Sequence, residues 1–449
     1  MTVAPMRLLL TFSENLLPAF SRLTLLDPTM QPVGIGPLRV DPADARVLQA
    51  SIDGVLAAGR YTVRWRFVGD DGHPVNGEYV FTVDGRMTPA VAEPALAPTG
   101  AMNGRDPTPP TLPVASGQSW LIPRTEGSST EGTETFGVSS PAYVAIRAVQ
   151  FLSVVLLIGL LTMQLVVLPR IARLDPDVKA FLVEAHASSS VWARRALWAF
   201  GVATLARLVA QHAALFGLHT HWSSATLGAL LMHSPWGSAW MLAVAAAGLG
   251  FVAVRRHAGL ERMNPALLAV ATVGMVLTLS MSGHSSAAVY RTLEVALDML
   301  HVLGAGGWVG SLAVLVVVGL PATAIIPMGQ RHAVIARVVA AFSPVALGCA
   351  LALAVTGVFA AWRRLMTLPA LWQSPYGQTL LLKLLMLSLV AVIGAFNWRY
   401  VLPKLGDASA TVRLRWSATV ELTVAVLVLI VTAALVATPL PVAAISRLP

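Results

Sequence analysis

From Tyr143 almost to its end the chain is a succession of apolar runs, each about 20 residues long and separated by short loops. Hydrocarbon offers no partner to an exposed N–H or C=O, so runs of this length fold as helices that satisfy their own backbones. Eight spans are expected, at about 143–168, 196–217, 237–254, 265–284, 293–318, 334–361, 378–398 and 417–438. Composition fits, with 56% hydrophobic and 12% charged residues. The loops after the first, third, fifth and seventh spans hold fourteen Lys and Arg residues, from Arg170 to Arg415. The other loops and the tail hold four, Arg291, Arg363, Arg364 and Arg447. That asymmetry places the first set on the cytoplasmic side and both termini outside. It also accounts for the net charge of +9, and basic runs interleaved with aromatics are absent, so no nucleic-acid partner is expected. The lone cysteine, Cys349, lies inside an apolar run and reads as packing.

The first 86 residues follow another rule. In Tyr61-Thr62-Val63-Arg64-Trp65-Arg66-Phe67 apolar and polar side chains alternate, as in a half-buried strand. Asp70-Asp71-Gly72-His73-Pro74 is a turn, and Tyr79, Phe81 and Val83 begin the next strand. Leu8-Leu9-Leu10-Thr11-Phe12 and Leu23-Thr24-Leu25 are further strands. Short strands with turn signals predict a small all-β sandwich of Greek-key or immunoglobulin-like type. Residues 87–139 are rich in Pro, Ser, Gly and Thr without periodicity and read as a linker, leaving 140–449 as the helical membrane domain.

The fifth span is the most unusual. Glu294, Asp298, His301, Ala305 and Trp308 recur at steps of three or four and so share a helix face. Ionisable groups at membrane depth face a partner, a cavity or an ion. Gly304, Gly306, Gly307 and Gly310 let a neighbouring helix approach closely. With the orientation above, His212, His219, His221, His233, His284 and His301, six of the ten histidines, fall in the outer half. His301 lies roughly 12 Å below the outer surface at 1.5 Å per residue. Met232, Met281 and Met299 offer thioethers on the same side. Imidazole with thioether suits copper, Cu(I) especially. Arg207 and Gln211 share a face of the second span at a depth similar to Asp298, so an Arg207–Asp298 ion pair is expected.

Two family resemblances follow. Thr11-Phe12-Ser13-Glu14, Gly59-x-Tyr61-x-Val63-x-Trp65, and Asp71-Gly72-His73 followed by Gly77, Phe81 and Val83 resemble CopC, a periplasmic copper-binding β-barrel. The resemblance implies that Asp71 and His73 are Cu(II) ligands, completed in that family by a mature N-terminal histidine. This chain opens Met1-Thr2-Val3-Ala4-Pro5, with neither that histidine nor a signal peptide, and the family's first strand is missing. Either a start further upstream or an incomplete Cu(II) site is therefore expected. Ser282-Gly283-His284, His301 with Trp308, Gly310 and Leu312, Thr356-Gly357-Val358, Tyr376-Gly377 with Lys383, Asn397-x-Arg399, and Glu421 resemble CopD, a copper-resistance membrane protein, in family order. That resemblance implies His284 and His301 as intramembrane copper ligands, as Cu(I) or Cu(II), with Asp298, Met281 and Met299 as second-rank candidates.

The expectation is a multi-pass protein of a bacterial inner membrane, with the β-domain and C-terminus on the periplasmic side. It would take copper from the periplasm, directly or from periplasmic copper chaperones, and pass it inward. A copper-sequestering chaperone or sensor without transport is the alternative. A haem-binding oxidoreductase would need histidines at matched depth on facing helices, and His284 and His301 differ in depth. No P-loop, G-x-S-x-G or H-E-x-x-H occurs, so neither ATP-driven transport nor hydrolysis is expected.

Overall fold

The computed structural model describes residues 5–12, 16–69, 74–83, 140–174, 178–218, 220–232, 234–257, 260–281, 291–365, 367–401 and 408–438. Seven strands form the first region: β1 (Arg7–Thr11), β2 (Arg22–Leu26), β3 (Pro32–Val33), β4 (Arg39–Asp41), β5 (Asp44–Ser51), β6 (Gly59–Val68) and β7 (Pro74–Val83). They make two antiparallel sheets, in the orders β1-β5-β4 and β3-β2-β6-β7. In β1 Leu8 and Leu10 are buried between exposed neighbours, the period of two that gives a strand one dry face. Those side chains join Leu25, Leu48, Tyr61, Val63, Phe67 and Val83 in one core shared by both sheets, as a sandwich requires. β1, β2, β6 and β7 are the strands expected from the sequence. β3 and β4 have two and three residues, and β5 buries only one large apolar side chain, Leu48, beside the small Ala50, so these three carry little strand signal.

Register explains one motif. Trp65 pairs with Gly77 across β6 and β7, and a Cβ on Gly77 would enter the Trp65 ring. Gly77 is the space in which the indole lies. Around it, Trp65 contacts Tyr79 at 5.8 Å and Tyr61 stacks on Phe81 at 5.6 Å, cross-strand pairs that add to the register.

The helical region comprises α1 (Pro141–Arg173), α2 (Lys179–Phe216), α3 (Ser224–Met232), α4 (Pro235–Ala253), the hairpin β8 (Val254–His257) and β9 (Leu260–Met263), α5 (Pro265–Met281), α6 (Thr292–Ile325), α7 (Met328–Leu365), the short α8 (Ala370–Gln373), α9 (Pro375–Phe396) and α10 (Ala408–Ala437). Seven of these are long and apolar enough to cross a membrane. The fourth expected span, 265–284, corresponds to α5, which is apolar but has 17 residues. Three helices begin with the same Ser-Pro step: Ser140, Ser234 and Ser374 each accept a backbone N–H of the first turn, and proline at the first helical position forfeits no bond.

α1 is the hub and packs on α2, α5, α6 and α10. Its crossing with α6 is made by glycine on both sides. A Cβ on Gly159 would overlap the Gly310 backbone, and a Cβ on Gly310 would overlap the Val155 carbonyl oxygen. Gly306 faces Ile158 in the same seam, and Gly307 faces the Cys349 sulfur of α7. α6 widens into a π turn over Gly306–Gly310 at this point. Such turns shift a helix's register and recur at functional sites.

The sandwich touches the bundle at the C-terminal end of α2. Arg66 donates to the Ala214 carbonyl and Phe20 meets Phe216 at 6.0 Å. The last carbonyls of a helix lack intrahelical donors and carry partial negative charge, so a guanidinium suits them. Arg66 is half-buried, and burial, with Arg22 nearby, lowers its pKa. Short connections alternate the direction of α2, α4, α5 and α6, so the start of α6 lies at the same end as the sandwich.

The seam predicts the effect of bulk. Gly310→Val should destabilise the protein by about 1–3 kcal/mol or prevent assembly, read by thermal unfolding in detergent. Gly348→Ala on α7, where an added Cβ meets nothing within 4 Å, should be neutral or slightly stabilising.

Candidate functional site

The polar stripe of α6 is matched, turn by turn, by α7. Glu294 Oε1 accepts from Arg363 Nη2 at 2.8 Å and from Nε at 3.2 Å. His301 Nδ1 meets Thr356 Oγ1 at 2.9 Å. Counting forward from Glu294 to His301 and back from Arg363 to Thr356 covers the same interval, the register of an antiparallel pair. Between these pairs lies Asp298, on which the charges of Arg364, Lys383 of α9 and Arg147 of α1 act, with Ser280 of α5 beside it. Arg364 is bonded to the hydroxyl of buried Tyr376. Asp298, His301, Arg364 and Lys383 are half-buried and Thr356 is buried. Two carboxylates (Glu294, Asp298) thus face four cations (Arg363, Arg364, Lys383 and Arg147), with His301 at the deep end.

Thr356 Oγ1 has one hydrogen to give and stands 2.7 Å from the Ala352 carbonyl, 3.2 Å from the Leu353 carbonyl and 2.9 Å from His301 Nδ1. When that hydrogen goes to the Ala352 carbonyl, the usual helical back-bond, Nδ1–H donates to Thr356 and Nε2 holds a lone pair. Among the described residues Nε2 has no hydrogen-bond partner. Gly357 leaves the ring room, since a Cβ there would stand 3.4 Å from His301 Cε1. A neutral imidazole with one nitrogen anchored and the other bare is the form that ligates a metal.

The other candidates are placed as follows. Asp71, His73 and His284 lie outside the described residues; Asp71 and His73 fall between Val68 and Pro74, which pair in the β6–β7 ladder. Met281 closes α5, which packs on α6. Met299 packs against the main apolar cluster, and two residues' separation turns it away from His301 on the helix. Among the described residues no three His, Cys, Asp or Glu side chains converge. His212 is held by its surroundings, stacked on Trp222 at 4.3 Å and bonded to Thr226 at 3.3 Å. His219 and His233 also lie outside the described residues, and His221 is exposed. The expected Arg207–Asp298 pair does not form: Arg207 turns to Gln150 Oε1 and the face of Trp236, while Asp298 has Arg364, Lys383 and Arg147. A second polar pair joins α10 to the end of α9, where Asn397 Nδ2 donates to buried Glu421 at 3.2 Å.

Thr356, Arg363 and Arg364 were not assigned roles from sequence. The expected sixth span stopped at residue 361, which left both arginines in a loop, whereas α7 runs to Leu365 and carries them in its last turn. The available signal was the spacing of seven between Thr356 and Arg363, two turns on one face.

Three family models match the chain: the CopC domain over residues 1–84, the copper resistance protein D-like N-terminal domain over 138–292, and copper resistance protein D over 336–435. Over 85 residues it is 35% identical to copper resistance protein C of Xanthomonas campestris pv. juglandis, covering 18% of this chain and 67% of that one. Protein YobA of Escherichia coli (strain K12) is 33% identical over 82 residues, 18% of this chain and 66% of its own length. The chain thus spans about two thirds of the length of these relatives. Among solved structures, CopC from Methylosinus trichosporium OB3b is similar at 31% identity over 21% of this chain and 85% of that one, with a TM-score of 0.18. PcoC, a copper resistance protein from Escherichia coli, is similar at 36% over 18% and 87%, with a TM-score of 0.16.

The charge arrangement is testable. Asp298→Asn leaves Arg364 and Lys383 without that carboxylate and should cost about 3–5 kcal/mol. Adding Lys383→Met should recover part of the loss, a coupling of about 0.5–3 kcal/mol in a double-mutant cycle followed by unfolding in detergent. Strict additivity would contradict the arrangement.

Proposed function

Because the chain belongs to the CopC–CopD copper-resistance family, we propose that it binds copper at the β-domain and passes the ion into the membrane bundle. Copper is the cargo. In this reading the protein sits in a bacterial inner membrane, with the sandwich on the periplasmic side. There Asp71 and His73 would take Cu(II), from solution or from a periplasmic chaperone, carboxylate and imidazole being suitable ligands. The docking of the sandwich at the end of the bundle where α6 begins supports a short path between the two sites.

The observation that carries the membrane half is the bond from His301 Nδ1 to Thr356, which presents Nε2 as a ready donor. His284 is the second imidazole in this reading, with Met281 and Met299 as thioether candidates for Cu(I). Asp298 supplies the negative charge. Copper arriving at His301 enters a field already set by Lys383 and Arg364, so its charge is compensated only as Asp298 turns from those cations toward the ion. Movement inward would be passive or coupled to a gradient or partner, as no phosphate-binding motif supplies ATP.

A second reading, sequestration without flux, is favoured by one feature. The glycine crossing of α1 and α6 puts backbones in contact between two and three turns beyond His301. A closed seam there suits holding copper rather than conducting it.

Copper flux into proteoliposomes carrying the full chain separates the readings. Wild type should take up copper, His301→Ala should abolish uptake, and Asp71→Ala/His73→Ala should reduce it mainly at low copper. Copper bound by wild type without uptake selects sequestration. Thr356→Val should weaken copper binding about 10- to 100-fold, the usual effect of losing the partner that orients a ligating histidine; an unchanged affinity would contradict the role given to Thr356.

A further inference from the structure

Arg207 of α2 is 6% exposed and lies on the bundle's interior. It lines a pocket among α1, α2, α4 and α5 with Gln150, Thr204, Trp236, Trp240 and Thr278. A guanidinium has five N–H donors. Among the described residues they meet one acceptor, Gln150 Oε1, at 3.5 Å, and Nε meets none. The other polar groups of the wall are committed elsewhere. Gln150 Nε2 donates to Thr204 Oγ1 at 3.0 Å, Trp240 Nε1 to the Thr204 carbonyl at 2.8 Å, and Thr278 Oγ1 to the Met275 carbonyl at 2.7 Å. Trp236 offers its ring face at 5.8 Å. Among the described residues no carboxylate pairs with Arg207.

A full positive charge at membrane depth without a counter-charge costs several kcal/mol. A cation–π contact and one long hydrogen bond offset only part of that. A water in the pocket would satisfy an N–H group but would bring no charge. The space is of the order of one water molecule, which suits a monatomic ion better than phosphate or sulfate.

We propose that this pocket binds a small monovalent anion of halide size, the counter-ion of Arg207. The site is separate from the polar stripe of α6, since Arg207 takes no part in the Asp298 network. The inference does not depend on copper.

The test uses the full chain in detergent at constant ionic strength, with gluconate replaced by chloride or bromide. Between 1 and 100 mM halide the Tm of wild type should rise by about 2–4 °C and saturate. Sulfate should give no such rise. Arg207→Met, which keeps the side chain's bulk without its charge, should lose the halide response while keeping its helical circular dichroism. Equal Tm in chloride and gluconate, or a halide response that survives in Arg207→Met, overturns the proposal. Should that variant fail to fold, bromide-soaked crystals of wild type decide. An anomalous peak within hydrogen-bond reach of Arg207 supports the site, and water alone at that position overturns it.

Discussion

Everything notable in the membrane half depends on one requirement: polar groups carried into hydrocarbon must find partners inside the protein. α6 brings Glu294, Asp298 and His301 down one face, and α7 answers with Arg363, Arg364 and Thr356. Neither helix would be stable alone at this depth with its charges bare. The pairing sets the rotation of both helices and their antiparallel register. Lys383 and Tyr376, from α9 and its first turn, close the arrangement from a third side. The same requirement ties His301 Nδ1 to Thr356, so the proposed ligand is held by the interactions that assemble the bundle.

Close packing adds a second constraint. With lipid as apolar as leucine, helices associate through backbone contact at small residues. Gly159 and Gly310 provide that contact at the hub, and the π turn over Gly306–Gly310 lets α6 pass α1 and Cys349 without a clash. This seam lies beyond His301 on the same helix, which ties the position of the histidine to a crossing at backbone contact. The sandwich is organised by the analogous device in a sheet, an indole lying where Gly77 has no side chain.

Much of this was legible in the sequence. Alternation in Tyr61–Phe67, apolar runs of membrane length and the three-four spacing of Glu294, Asp298 and His301 each have a single physical solution, and the structure adopts it. Partners across helices were not legible. Thr356 is separated from His301 by 55 residues, and only the packed register joins them. Arg207 and Asp298 lie at similar depth by counting, yet Arg207 turns to Gln150 and Trp236 while Asp298 meets Arg364, Lys383 and Arg147, because depth fixes one coordinate and helix packing fixes the others. The sandwich-to-bundle contact through Arg66 was equally hidden, since a strand arginine at even spacing reads as solvated.

The central claim is that the bundle itself carries a copper ligand at His301. Copper and haem content of the purified full chain tests it most directly, comparing wild type with His284→Ala/His301→Ala. The account predicts copper without a Soret band in wild type and the loss of about one equivalent in the double variant. Equal copper in both would contradict the claim and leave His301 as a structural partner of Thr356.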